Sequence, residues 1–471
     1  MSELWRKSAV ELAGMIRDRE VSSREVIQAH LDRIEAVNPG VNAIVRLLPD
    51  EALAAADAAD RQLADAAAGA PLGSLHGVPF TVKENIDLAG TATTQAVPAL
   101  AEAVAPVDAP HVERMRAAGA IPIGRTNLPD FGLRVHTDSA LHGLTRNPWH
   151  PERSSGGSSG GEAAAIATGM SPLGLGNDLG GSLRNPAHCC GIASIKPSTG
   201  SVPAATVIPP EDYPMSFQLM AVDGCLARRV ADVRAGFTAL AGPHPRDPLS
   251  LPVTFTDLIA GERPKVAVLP DPPGGSTHPE IADAVRRAAD ALANEGFEVT
   301  EAVPPDYEQA LELWASILSV DLRIAMPIME PIMGAGGRQF LSYALEAMPA
   351  SDLHAWANAL TARQGLARRW ALWYQEYPVL LCPVWAQPAF PLDYDIASAE
   401  GAAGTLELMR PVLPANLLGT PAAVVPAGMA AGLPAGIQVM GAKYTELRCL
   451  AVAEIIERRL GSLTPIDPVA G

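Results

Sequence analysis

After Ser22 the apolar positions Val26, Ile27, Leu31, Ile34 and Val37 recur at intervals of three and four, which predicts one buried face of an amphipathic helix. Ser22 with Glu25, and Ser8 with Glu11 before it, are spaced as capping boxes, so two helix starts are expected here. Asn38-Pro39-Gly40 predicts the end of the second helix. Asp50 to Ala68 is so rich in alanine that a third helix is expected. From Leu75 the pattern changes to short apolar runs between turn residues, VPFTV (78–82) and AIPIG (120–124), alternating with helical pieces such as HVERMRAAG (111–119). That alternation predicts an α/β fold around a mixed sheet. Residues 303–378 read as mainly helical, and VLLCPV (379–384), AAVVPAG (422–428) and AGIQVMG (435–441) as returning buried strands. We expect residues 1–70 to form a helical segment packed on a single domain made by residues 71–471.

Composition narrows the class. With 48% hydrophobic and 18% charged residues, 471 residues can bury a large core. No run approaches the roughly 20 apolar residues that span a bilayer, and MSELWRKSAVELAGMIRD reads as an amphipathic start rather than a secretory signal. A formal charge of -17 disfavours nucleic acid, which needs clustered Lys and Arg. The five cysteines, Cys189, Cys190, Cys225, Cys382 and Cys449, are scattered without a CxxC pair. Neither a disulfide framework nor a zinc site is indicated, and a cytoplasmic location is expected.

Two glycine-rich stretches carry the candidate chemistry. The first, Arg153 to Met170, opens with SSGG written twice. Such tracts are usually linkers, yet this one runs without a gap into a predicted helix at EAAAIA and a buried strand at SPLGLG. Gly156 to Gly160 fits G-x-S-x-G, but HPERSS before it is no strand, as a nucleophile elbow would require. No phosphate-cradling glycine pattern is present. The second stretch, GNDLGGSLR (176–184), is a predicted strand breaking into a turn that ends in Ser182. Such a turn can aim consecutive backbone N–H groups at one point beside a hydroxyl, as an oxyanion hole requires. It can equally be a tight turn with Ser182 as a helix N-cap.

A serine nucleophile needs a base. His76, His111, His136, His142, His150 and His188 all lie in this half of the chain, so a Ser-His pair stays open. So does a lysine, because only five occur (Lys7, Lys83, Lys196, Lys265, Lys443) and Lys83 ends an apolar run. Desolvation there would lower its pKa and free the amine to accept a proton. Lys83 can also be a strand-end lysine snorkelling to solvent or paired with Glu84 or Asp87.

The lysine, the first serine tract and the second serine turn occur in an order that resembles the amidase signature family of serine amidohydrolases. The resemblance rests on GVPFTVKENIDLAG (77–90), GRTNLPDFG (124–132), residues 146–200 and NLLGTPAAVVPAGMAAGLPAGIQVMG (416–441), nearly the whole chain. It implies a central twisted mixed sheet covered on both faces by helices. It also implies a Ser-cisSer-Lys triad: Lys83 as base, Ser158 as the bridging serine after a cis bond from Gly157, and Ser182 as nucleophile. The implied oxyanion hole is the backbone amides of Leu179, Gly180, Gly181 and Ser182, with Gly157, Ser159, Asp178 and Arg184 supporting the site and no metal or organic cofactor. Ser155 and Asn177 depart from the family's common residues, and neither position is expected to carry chemistry.

The implied activity is hydrolysis of an amide-type C–N bond in a small aryl or alkyl carboxamide through an acyl-enzyme. A hydrazide, anilide or ester would react through the same intermediate. Of the 22 Phe, Trp and Tyr residues, 12 lie between Tyr307 and Tyr394, where they can line an acyl pocket or form helix-helix core. The expected partner is a small amide substrate, without nucleic acid or membrane, and a homodimer is allowed. The second reading is the A subunit of a glutamine-dependent tRNA amidotransferase. A catalytically silent binding protein is disfavoured, since all three triad positions are filled.

Overall fold

In a computed structural model, residues 3–66, 72–208 and 212–469 are described. The strands are β1 (Ile44–Leu47), β2 (Pro79–Lys83), β3 (Ile121–Thr126), β4 (Asp138–Ser139), β5 (Gly143–Leu144), β6 (Leu173–Asp178), β7 (Ala193–Lys196), β8 (Val222–Ala227), β9 (Val266–Val268), β10 (Val299–Glu301), β11 (Val379–Pro383), β12 (Ala422–Ala430) and β13 (Leu433–Gly441). Eleven of them form one sheet in the order β1-β3-β2-β6-β8-β7-β12-β13-β11-β9-β10, and β4 pairs with β5. The sheet is mixed: β3, β2 and β6 run parallel, as do β11, β9 and β10, while β12 and β13 form the longest antiparallel pair.

Because successive strand residues face opposite sides, the sheet separates two cores. Phe80, Val82, Leu173, Leu175, Leu381 and Val425 join the core under the helices Ala9–Arg17, Val230–Leu240, Pro279–Ala293 and Glu446–Leu460. Leu380, Cys382 and Val424 face the other core, built with the helices Ser23–Val41, Gly160–Ala167, Tyr307–Met329 and Leu353–Glu376. Both capping boxes form, at Ser8/Glu11 and Ser22/Glu25. The sequence-predicted strands at 78–82, 120–124, 379–384, 422–428 and 435–441 all fall on strands. The alanine-rich stretch is helical over Pro49–Asp65, and its residues 67–68 lie outside the described ones.

One boundary differs. The helix does not stop at Asn38-Pro39-Gly40 but continues to Val41, with Pro39 inside it, and ends at Asn42 in the left-handed region, φ 56°. The Asn38 side chain explains the turn beyond: its Oδ1 accepts from the N–H groups of Ala43 and Ile44, both at 2.9 Å, and its Nδ2 donates to Ile44 O. Asn38 therefore ties down the chain after the helix instead of terminating it.

Candidate active site

The site sits where the parallel strands β2 and β6 end side by side, the edge at which open α/β sheets place their chemistry. With Phe80 and Val82 turned into one core, Thr81 and Lys83 face the helix Gly160–Ala167. Thr81 Oγ1 donates to Glu162 on that helix, and Thr126 Oγ1 donates to the same carboxylate at 2.6 Å, so two strands are clasped to one helix. Burial pushes the Glu162 carboxyl up to about 7.

Lys83 is fully buried. Its Nζ lies 2.7 Å from Ser158 Oγ and 2.7 Å from Asn177 Oδ1. Burial pushes the amine down to about 7, against the opposing pull of Asp178, Asp223 and Glu162. An amine with that pKa is substantially neutral at neutral pH, and its lone pair can take a proton.

Ser158 is held by the tract that precedes the Gly160–Ala167 helix. The Gly157–Ser158 peptide bond is cis, as the resemblance implies, and the Gly157 N–H donates to Asn185 Oδ1 at 3.0 Å. The next residue, Ser159, donates its N–H to the carbonyl of Ser182 at 3.3 Å, which brings the two serine tracts together. Ser159 Oγ is buried without a partner among the described residues. Of the three positions expected to form the triad, Ser182 is the most accessible, 8% exposed against 1% for Ser158 and 0% for Lys83. No hydrogen bond joins the Ser158 and Ser182 hydroxyls among the described residues; such contacts are often long in a free enzyme and tighten on substrate binding.

The turn after β6 is gripped from beneath. Asp178 accepts from the N–H groups of Gly181 (2.8 Å) and Leu183 (3.1 Å), forms a two-pronged ion pair with Arg184 (both contacts 3.0 Å), and accepts from Asn416 Nδ2 (2.9 Å). Burial alone would raise the Asp178 carboxyl, but the charge of Arg184 and these donors hold it well below the usual carboxylate range. Arg184 also donates to Val412 O and Gln438 Oε1, so the turn is bolted to the returning half of the sheet. Gly181 has φ +101°, accessible to glycine without penalty. A Cβ at Gly180 would lie 2.9 Å from both Trp314 Cζ2 and Met409 Cε, so any other residue would have to displace the Trp314 ring.

Three sequence expectations change. The Gly181 N–H already donates to Asp178, which leaves Leu179, Gly180 and Ser182 as the turn amides with no acceptor among the described residues. Ser182 is not a helix N-cap: the helix Arg184–Cys190 is preceded by Leu183 and has no side-chain cap. Asn177, set aside as chemically idle, touches the amine of Lys83 directly, and its own Nδ2 donates to Asn85 Oδ1 at 3.0 Å. Ser155, the other departure, donates its hydroxyl to Thr145 O.

The histidines resolve by contact. His136 Nδ1 meets Ser154 Oγ at 2.9 Å, His142 Nε2 meets Glu84 Oε2 at 2.5 Å, and none of the six bonds Ser158 or Ser182 among the described residues. Burial pushes His136 and His188 down to about 4, so both stay neutral. The aromatic segment divides. Tyr307, Trp370, Trp373, Tyr374 and Tyr377 pack on one another with ring centroids 5.0–6.3 Å apart, as helix-helix core. Trp314 and Trp385 instead lie against the turn, near Gly180 and Gly181, beside Met409 and Val412.

The profile of the Amidase family matches residues 25–450. The chain belongs to the amidase signature family. It is 42% identical over 472 residues to an indoleacetamide hydrolase of Bradyrhizobium diazoefficiens, covering 98% of this chain and 88% of that one. It is also 33% identical to the A subunit of a glutamyl-tRNA(Gln) amidotransferase of Acidothermus cellulolyticus, over 97% of this chain and 95% of that one. A crystal structure of a bacterial aryl acylamidase of the same family superposes with a TM-score of 0.83 at 27% identity, covering 97% of each chain. This member of the amidase signature family is a hydrolase acting on amide C–N bonds. Among its described residues no helix is long and apolar enough to cross a membrane.

Proposed function

We propose that the chain acts alone as an amidase on small aryl or alkyl carboxamides, with Ser182 as nucleophile, Ser158 as proton bridge and Lys83 as base. The observation that carries this reading is the 2.7 Å contact between a buried, low-pKa lysine and Ser158 Oγ, next to the turn that bears Ser182. Neutral Lys83 takes the proton of Ser158 as Ser158 takes that of Ser182, and Ser182 Oγ forms a bond to the carbonyl carbon. The carbonyl electron pair moves to oxygen, facing the amides of Leu179, Gly180 and Ser182. Collapse breaks the C–N bond, and the proton on Lys83 returns through Ser158 to the leaving nitrogen. Water then adds to the acyl-enzyme by the same relay, releasing the carboxylic acid.

The acyl preference rests on the wall beside the turn. Trp314, Trp385, Met409 and Val412 are apolar and buried against Gly180 and Gly181, an environment that favours an apolar acyl group over the polar chain of glutamine. The likeness to an indoleacetamide hydrolase points the same way. The test is hydrolysis of a panel of aryl, alkyl, amino-acid and hydrazide substrates by the purified lone chain, with Ser182→Ala as control. Aryl or alkyl amides should be hydrolysed best, and Ser182→Ala should be inactive on all of them. Activity on glutamine alone, and only with partner subunits, would favour the amidotransferase reading instead.

A further inference from the structure

We infer that Trp314 is a positioning residue that aims the Gly180 N–H at the reaction's oxyanion, an inference that rests on Ser182 being the nucleophile. Trp314 belongs to the helix Tyr307–Met329, lies 135 residues from the turn in sequence, and is buried. Its Nε1–H donates to the carbonyl of Leu179 at 3.1 Å while its ring edge packs on Gly180. The Leu179–Gly180 peptide is trans, and in a trans peptide the C=O and N–H point in opposite directions. Holding the Leu179 oxygen therefore fixes the direction of the Gly180 N–H.

The grip is needed because of the turn's composition. Gly180, which bounds the peptide plane between Leu179 and Gly180 on one side, has no Cβ to resist rotation of that plane. Asp178 secures the far side of the turn, through Gly181 and Leu183, but makes no contact with that plane's N–H. A plane rotated by half a turn would present the Leu179 carbonyl where the Gly180 N–H should be. It would replace attraction for the tetrahedral anion with repulsion, and leave the substrate's apolar part unaffected. The aromatic-rich helical segment would thus act on the chemistry through one hydrogen bond as well as through the shape of the pocket.

The experiment replaces Trp314 with benzothienylalanine, which keeps the bicyclic ring and lacks the N–H, with Trp314→Phe as a second variant. The readouts are turnover of phenylacetamide, binding of phenylacetaldehyde, which adds to a serine as a tetrahedral adduct, and binding of phenylacetate. Deleting an oxyanion donor outright costs about 10²–10³ in kcat, so misaiming one is expected to cost about tenfold, with KM within about twofold. Phenylacetaldehyde should bind the variant weaker by the same factor, and phenylacetate should bind as it does to the wild type. Wild-type kcat and aldehyde affinity in the benzothienyl variant would overturn the inference. Equal losses for aldehyde and phenylacetate would also overturn it, since that is the signature of packing alone. Labelling of the wild type by a fluorophosphonate, mapped to its residue, separates the two levels. Absence of label on Ser182 would sink the nucleophile assignment and this inference with it, whereas label on Ser182 with no effect of Trp314 would sink only the inference.

Discussion

Lys83 and Lys196 are alike in everything that makes a lysine unusual, and different in what they touch. Each ends a strand, β2 and β7 respectively; each is fully buried; and burial pushes each amine down to about 7. For Lys196 the nearby charge of Arg184 pushes the same way. Lys83 Nζ meets a serine hydroxyl and an asparagine oxygen, both on the site's own tracts, whereas Lys196 Nζ donates to the carbonyl of Pro197 at 2.8 Å. A carbonyl has no proton to exchange. A depressed pKa makes an amine able to act as a base, and the neighbouring hydroxyl gives it something to act on; only Lys83 has both.

The contrast can be broken in order of effect. Lys83→Ala should lower kcat/KM by about 10³-fold with the fold intact by circular dichroism, as expected when a general base is removed. Lys196→Met should leave kcat and the pH profile as in the wild type; a matching collapse would show that burial, not contact, is what matters. Arg184, a buried cation that is fully paired, supplies the structural extreme. Arg184→Met strands the Asp178 carboxylate and should cost about 3–5 kcal/mol in chemical denaturation. The smallest effect concerns Asp223, which faces Lys83 together with Asp178 and Glu162 and favours its charged form. Asp223→Asn removes one negative charge, so Lys83 should lose its proton more readily. The acid limb of kcat/KM should then move to lower pH by less than about one unit. A shift to higher pH would refute the electrostatic account.

The candidate stretches were legible in the sequence, because a lysine after an apolar strand, a doubled serine-glycine tract and a glycine turn are local patterns, and the structure brings Lys83 and Ser158 into contact beside the turn that bears Ser182. Those patterns left several readings open; the resemblance to the amidase signature family singled out Lys83, Ser158 and Ser182, while the mixed sheet could be read from the alternation of apolar runs with helical pieces. What stayed hidden depends on which side chains the fold brings across. Asn177 departs from the familiar pattern and so looked inert, yet the parallel register of β2 and β6 sets it against Lys83. The Gly181 N–H could not be known to be spent until the Asp178 side chain was seen to turn back on its own loop. Trp314 was one of twelve aromatics between Tyr307 and Tyr394, and no periodicity separates it from Trp370, which is core. The helix through Pro39 was missed because the usual stop signal was read without the Asn38 side chain that organises the chain beyond it.

The central claim is that Lys83 is neutral near pH 7 and gates catalysis by losing its proton. With only five lysines in the chain, selective ¹³C labelling at lysine Cε makes each amine visible, and Lys196→Met and Lys83→Met assign the two buried ones. The Lys83 signal should titrate at about 7 and coincide with the acid limb of kcat/KM, below which activity falls about tenfold per pH unit. A Lys83 signal that stays protonated until about pH 10, the range of an ordinary lysine, while the enzyme is fully active at neutral pH would contradict it.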